Sequence, residues 1–331
     1  MTTKPNVILV MTDDQGYPDL GCTGNPWIKT PNIDSFYNES VRFNDFHVQP
    51  LCTPTRGAIM SGNRPVKNGA WATCWGRSIL RSSEKTMADI FAENGYATGM
   101  FGKWHLGDNY PFRPFDRGFQ HVVAHKGGGV GQTPDFWGNN YFDDTYFHNG
   151  QARQHTGYCT DVWFDEAYSF IEQNLDKPFF AYIATNAPHC PYLVDEKYVA
   201  QYRGVDGIWS PEFYGMITNI DENFGELDKK LAQWGIKDNT ILIFMTDNGS
   251  SGSCHTDSDQ FPIEGKGFNA GLRGKKASYY DGGHKVPFII RWPDGNLTGG
   301  WDIDEMCLDI DMLPTFIELC GLQNSKEFDG T

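Results

Sequence analysis

Long apolar runs are missing from this 331-residue chain. The longest, such as residues 179–183 and 241–245, fall far short of the ~18 residues that a membrane-crossing helix requires, so no membrane span is expected. Positive charge is scarce as well. Lysine and arginine number 27 against 42 acidic residues, a formal net charge of -15. Displacing counterions from nucleic acid, or docking on anionic lipid, needs a basic face, so neither partner is expected. No C-x-x-C pair occurs among the cysteines at 22, 52, 74, 159, 190, 254, 307 and 320. That spacing suggests neither a zinc site nor a dense disulfide framework, and a reduced, intracellular chain is the simpler reading. Internal repeats and low-complexity tails do not occur. The N-terminal stretch turns apolar only at Val7 and acidic at Asp13, too short for the hydrophobic region of an export signal.

What is present can fold. A hydrophobic fraction of 39% supports a sizeable core and excludes a disordered chain. Glycine, at 37 residues, exceeds the roughly 23 that an average share of about 7% would give, which points to loops and close backbone approaches. Short β-branched or aromatic runs alternate with segments of helical period, the pattern of an α/β protein with a mostly parallel sheet covered on both faces. Strands are expected at 7–11, 97–101, 179–184 and 240–245, and helices at 86–94, 161–174, 216–234 and 309–320. Residues 106–160 and 249–285, rich in glycine and polar or aromatic residues, are expected to be long functional loops.

The residues after the strands carry the chemistry. Asp13 and Asp14 follow the first strand, Asp247 and Asn248 a later one, and together they form the hard oxygen set that Ca2+ or Mg2+ prefers. Such acidic pairs also cap turns, so spacing alone leaves both readings open. In open α/β sheets ligands lie beyond the carboxyl ends of the strands, where these groups could meet Lys103, His105 and His189. Cys52 precedes a proline and a short apolar helical pattern, which places it near a helix N-terminus with Arg56 about one turn along. That position favours anions, and the cysteine is a thiolate nucleophile or a structural thiol.

Six separated segments together resemble the type I, formylglycine-dependent sulfatases of the alkaline phosphatase superfamily. Cys52-Thr53-Pro54-Thr55-Arg56 is similar to their C-x-P-x-R signature, and residues 102–107, Gly-Lys-Trp-His-Leu-Gly, to their G-K-W-H-x-G segment. Asn186-Ala187-Pro188-His189 resembles the A-P-H segment, and Leu272-Arg273-Gly274-Lys275-Lys276 with Gly282-Gly283 the last lysine-bearing loop. The Asp-Asp and Asp-Asn pairs complete the set.

The resemblance implies a doubly wound α/β fold and an arylsulfatase-like sulfuric ester hydrolase acting on an aryl or carbohydrate sulfate. It also implies specific roles. Cys52 would be oxidised to formylglycine by a formylglycine-generating or sulfatase-maturating enzyme, and its hydrated form would attack sulfur with Asp247 as base. Asp13, Asp14, Asp247 and Asn248, with the oxygen at 52, would hold calcium, or magnesium in its place. Lys103 and Arg56 would hold the diol, His105 would serve as base in regenerating the aldehyde, and His189 and Lys276 would bind sulfate and neutralise the leaving oxygen. Lys276 rather than Lys275 matches the family's lysine.

Two alternatives remain at this level: a phosphonate or phosphate ester hydrolase, and a non-catalytic sulfated-glycan binder in which Cys52 stays a thiol. Residues 1–331 are expected to form the catalytic domain, with the family's smaller C-terminal subdomain largely lacking. The family's tendency to export conflicts with the N-terminus unless a signal was removed. Further candidates are His284, His125 and Lys126, expected as solvated loop residues, and Phe136, Trp137, Tyr141 and Phe142 as an aromatic platform for substrate. Asn38, Asn248 and Asn296 begin glycosylation sequons.

Overall fold

The computed structural model describes residues 4–73, 78–251 and 266–331. Its strands, in chain order, are β1 (Asn6–Thr12), β2 (Val41–Phe43), β3 (Phe46–His47), β4 (Ala97–Lys103), β5 (His121–His125), β6 (Thr145–His148), β7 (Gln151–Gln154), β8 (Phe179–Ala184), β9 (Thr240–Thr246), β10 (Phe288–Arg291), β11 (Asp302–Ile303) and β12 (Cys307–Leu308). The α-helices are α1 (Pro31–Glu39), α2 (Cys52–Ser61), α3 (Pro65–Asn68), α4 (Met87–Glu93), α5 (Cys159–Glu172), α6 (Glu196–Val199), α7 (Pro211–Gln233), α8 (Asp281–His284) and α9 (Met312–Leu319). Ten strands form one mixed, mostly parallel sheet in the order β11-β2-β10-β9-β1-β8-β4-β5-β6-β7. Among the described residues no helix is long and apolar enough to cross a membrane.

Period-2 alternation in the central strands divides the interior into two layers. Val7, Leu9 and Met11 of β1 join Ile241, Ile243 and Met245 of β9 in one cluster, against α2, α4 and α9. Ile8 and Val10 join Leu242 and Phe244 in the other, against α1, α5 and α7. Apolar side chains on both faces are why these strands read as continuous hydrophobic runs.

The helix signals act as expected from local chemistry. Thr86 and Asp89 form a reciprocal capping box at α4. Helix α7 begins at Pro211 rather than near 216, because Ser210 accepts from the Phe213 N–H and Pro211 tolerates the first turn.

The expected loop over 106–160 is a correction: it contains β5, β6 and β7. Val122, Val123 and Ala124 form a buried apolar strand paired with β4, while β6 and β7 make a hairpin. Its turn is Asn149-Gly150 with φ of 44° and 85°, the positive pair that a tight two-residue turn needs and that Asn-Gly supplies. Of the second expected loop, residues 252–265 lie outside the described residues, as do Cys74 and Cys254; the remainder is irregular apart from α8. Among the described residues, the cysteines at 22, 52, 159, 190, 307 and 320 form no disulfide with one another.

Gly102, the penultimate residue of β4, has φ 106°, and a Cβ there would overlap the Ala184 carbonyl oxygen of neighbouring β8. Both conformation and space demand glycine immediately before Lys103. Gly102→Ala is expected to destabilise the chain by about 2 kcal/mol or more, measured by urea unfolding. A loss below about 0.5 kcal/mol would show that the strand end adapts freely.

Candidate active site

Parallel register brings the acidic pairs together. Thr12 of β1 is opposite Thr246 of β9, so the following residues, Asp13 and Asp247, emerge side by side at the carboxyl edge. The Asp247 N–H donates to the Thr12 carbonyl at 3.0 Å, and the Asp14 N–H to Asp247 Oδ1 at 3.1 Å. Asp14 adopts a left-handed φ of 64°, tolerable for aspartate, which lets two successive carboxylates serve one site. Asp13, Asp14, Asp247 and Asn248 are all buried.

Cys52 is the first residue of α2 and only 2% exposed. Its N-cap, Leu51, supplies no side-chain acceptor, so the helix start keeps its anion-favouring character. Donor atoms of Asp13, Asp247 and Cys52 lie within 4.8 Å of one another. Residues separated by almost two hundred positions therefore converge at one point.

Each carboxylate has a cation. Lys103 Nζ donates to Asp13 Oδ2 at 2.6 Å, both side chains fully buried. Arg56 Nε and Nη2 donate to Asp247 Oδ2 at 3.1 and 2.7 Å, and Arg56 Nη1 to the Lys103 carbonyl at 3.0 Å. Lys276 Nζ donates to Asp14 Oδ1 at 2.5 Å, and His189 Nε2 stands 3.6 Å from Asp14 Oδ2. His105, with a left-handed φ of 57°, is held by the Thr53 hydroxyl, which donates to its carbonyl at 3.1 Å.

Burial and charge set the protonation states. Burial, reinforced by Asp247 and Asp14, pushes Asp13 well above the usual carboxylate range despite Lys103. Burial acts the same way on Asp14, but Lys276, His189 and Lys103 outweigh it and hold that group below its ordinary value. Asp247 is likewise lowered, with Arg56 and Lys103 overcoming its burial. Burial and the nearby cations keep both imidazoles neutral: His105 is pushed well below 6.5 and His189 down to about 4.

A divalent cation fits this donor set. Asp13 Oδ1 and Asn248 Oδ1 are buried with no hydrogen-bond partner, while the Asn248 amide donates to Asp14 Oδ1 at 3.0 Å and so turns its oxygen away from that contact. Two orphaned hard oxygens beside two further carboxylates match the ligand chemistry of calcium or magnesium. A bound dication would favour the ionised form of Asp13, and with all three carboxylates ionised against Arg56, Lys103 and Lys276 its charge would leave a positive surplus for an anion.

These groups open on a cleft of about 390 Å³ lined by Cys52, His105, His189 and Lys276. Residues outside the six motifs complete the surroundings. Gly128 lies against His105, where a Cβ would come within 3.0 Å of Nε2; Asp108 counters the downward pull on His105 and accepts from the Gly127 N–H at 3.0 Å. Tyr182, inside β8, lies with its hydroxyl 3.4 Å from Arg56 Nη1. Contacts of this kind across the fold leave no periodicity to read.

Other candidates sit differently. His125, expected to be solvated, is 2% exposed because β5 carries it into the sheet beside Trp163. Lys126 stacks over Phe147 at 4.1 Å and lines an adjoining cavity with Asp108. His284 faces His47, ring nitrogens 2.9 Å apart, and does not line the cleft. The expected aromatic platform divides: Trp137 is 96% exposed, Phe136 and Phe142 are partly exposed, and Tyr141 is buried, donating to the His189 carbonyl at 3.2 Å. Asn248 is fully buried, so its sequon cannot carry a glycan in the folded chain.

A family profile described as Sulfatase matches residues 5–322. The chain is 32% identical to an arylsulfatase of Hemicentrotus pulcherrimus over 99% of its own length and 60% of that protein's, and 28% identical to human N-acetylgalactosamine-6-sulfatase over 98% and 64%. A crystal structure of Ps i-CgsB in complex with k-i-k-neocarrahexaose superposes with a TM-score of 0.85 and 30% identity, covering 99% of this chain and 75% of that one. The chain belongs to the Sulfatase family. Its fold is accordingly that of the alkaline phosphatase-like sulfatases, and it spans a little under two thirds of the length of the curated sulfatases named above.

Proposed function

We propose that this sulfatase-family chain hydrolyses sulfate monoesters of aryl or carbohydrate alcohols in the Cys52 cleft. The observation that carries the reading is the convergence of Cys52 with Asp13 and Asp247 within 4.8 Å, ringed by Arg56, Lys103 and Lys276. Asp13, Asp14, Asp247 and Asn248 would hold a calcium ion with the oxygen at 52. When bound, calcium would supply charge to polarise a sulfate oxygen, and a hydrated formylglycine at 52, made by a maturating enzyme, would supply the nucleophilic hydroxyl.

The chain's own groups do the rest. Asp247, kept ionised by Arg56, lies within reach of position 52 and accepts a proton there. Lys103 and Arg56 are fixed by Asp13 and Asp247, which orients their positive charge before substrate arrives. His105 lines the cleft as a neutral imidazole, the form that would accept a proton from a hydrated side chain at 52. Lys276 and His189 both contact Asp14 and line the cleft, where they are suited to bind sulfate oxygens and neutralise the departing alkoxide. The cleft volume suits an aryl group or a terminal sugar.

Parallel assays on an aryl sulfate and a phosphonate monoester, with intact-mass measurement of the same sample, test the proposal. A mass lowered by the difference between thiol and aldehyde, with kcat/KM favouring the sulfate, is expected. Preference for the phosphonate selects the related hydrolase reading, and binding of sulfated glycan with no turnover of converted protein selects the silent binder.

A further inference from the structure

A second cluster lies away from the cleft, where hairpin β6–β7 packs on α5. His148 ends β6, His155 follows β7, and Glu166 projects from α5. The Nε2 atoms of the two histidines are 2.8 Å apart, their rings within 11° of parallel. Glu166 Oε1 stands 3.9 Å from His148 Nε2 and 3.8 Å from His155 Nδ1. The side chains are 12%, 13% and 25% exposed, and one donor atom from each lies within 4.8 Å of the others.

We propose that His148, His155 and Glu166 form a binding site for a divalent transition ion of the zinc class. Two imidazoles and a carboxylate, drawn from three segments, are the nitrogen and oxygen ligands that zinc takes in tetrahedral geometry with a fourth position open. Tetrahedral bonds of about 2.0–2.1 Å put ligand atoms roughly 3.3 Å apart, so the two Nε2 atoms would separate by about half an ångström and the Glu166 carboxylate would draw in toward them. Burial, with neighbouring Arg153, keeps both imidazoles in the neutral form that ligates; His148 is pushed down to about 4. His121 supplies a further nitrogen nearby. Register opposes Val123 to His148, so His121, two residues along β5, shares that face, and its Nε2 is buried without a partner. Arg153, also facing the cluster, is a cation that opposes a bound metal, and it is exposed.

The site differs chemically from the acidic cleft. Imidazole nitrogen suits zinc or cobalt, whereas the cleft's carboxylate and amide oxygens suit calcium. Bound metal would pin the hairpin to α5 and thereby fix one end of residues 126–144, which include the cleft-lining Gly127 and Gly128.

The test uses the full chain, stripped with chelator, saturated with Ca2+ and titrated calorimetrically with Zn2+, with Co2+ absorption as a ligand-field readout. One Zn2+ per chain is expected, with a Tm that rises with zinc. His148→Ala and His155→Gln should each weaken Zn2+ binding by about 100-fold, and Glu166→Gln by about 10-fold. Arg153→Ala, which removes no ligand, should tighten it several-fold, a gain that misfolding cannot mimic. Zinc binding unchanged in both histidine variants, or no zinc uptake by the calcium-saturated chain, overturns the assignment and leaves a plain hydrogen bond between two rings.

Discussion

Cys52→Ala is expected to lower kcat/KM on an aryl sulfate by on the order of 10⁴-fold or more, because removing the nucleophile leaves only binding and charge stabilisation. The side chain lost is small and lies at the first turn of α2, so the melting temperature should change little. Affinity for a sulfated ligand should persist, since Lys276 and His189 remain on Asp14. Steady-state kinetics on the folded variant, paired with a binding titration, separate the two quantities. Turnover surviving at more than about a tenth of the original rate would remove position 52 from the chemistry, whatever its distance from Asp247.

Arg56→Ala acts on stability as well as rate. The guanidinium is fully buried and satisfies Asp247 Oδ2 through two donors and the Lys103 carbonyl through a third. Truncation leaves a buried carboxylate and a buried carbonyl without those donors, and empties the volume of one of the largest enclosed side chains. A buried pair broken on one side costs about 3–5 kcal/mol, so a comparable loss is expected in denaturant unfolding. Arg56→Lys should recover little, because an ammonium cannot reproduce the fork that meets Asp247 and the Lys103 carbonyl together. Added calcium should restore part of the lost stability by offsetting the unpaired charge of Asp247. A variant as stable as the parent would mean that the three crowded carboxylates gain nothing from this cation.

How much of this was readable beforehand differs from residue to residue. Strands β1, β8 and β9 were visible because burial on both faces makes each an unbroken apolar run. Helix α4 was visible because Thr86 and Gly95 punctuate it. Strands β5 to β7 leave little trace in the sequence: they are short and lie toward one edge of the sheet, β5 begins and ends in histidine, and β7 is exposed along its whole length, so no hydrophobic period marks it. The Asn149-Gly150 turn was the available signal. His125 was misjudged for the same reason, since its burial depends on a strand that was not expected.

Local order and residue chemistry were determined by the sequence itself: apolar runs ending in Asp13 and Asp247, a helix start at Cys52, lysines and histidines held in short motifs. Those are properties of neighbours along the chain, where periodicity, capping and ligand hardness operate. Which cation meets which carboxylate was decided only in three dimensions. Lys103 lies on Asp13, Arg56 on Asp247 and Lys276 on Asp14, because parallel strand register and the packing of α2 against the sheet edge set those distances. No spacing in the chain encodes a distance across the fold, and for that reason the orphaned oxygens of Asp13 and Asn248, like the meeting of His148 with Glu166, emerged only from the tertiary structure.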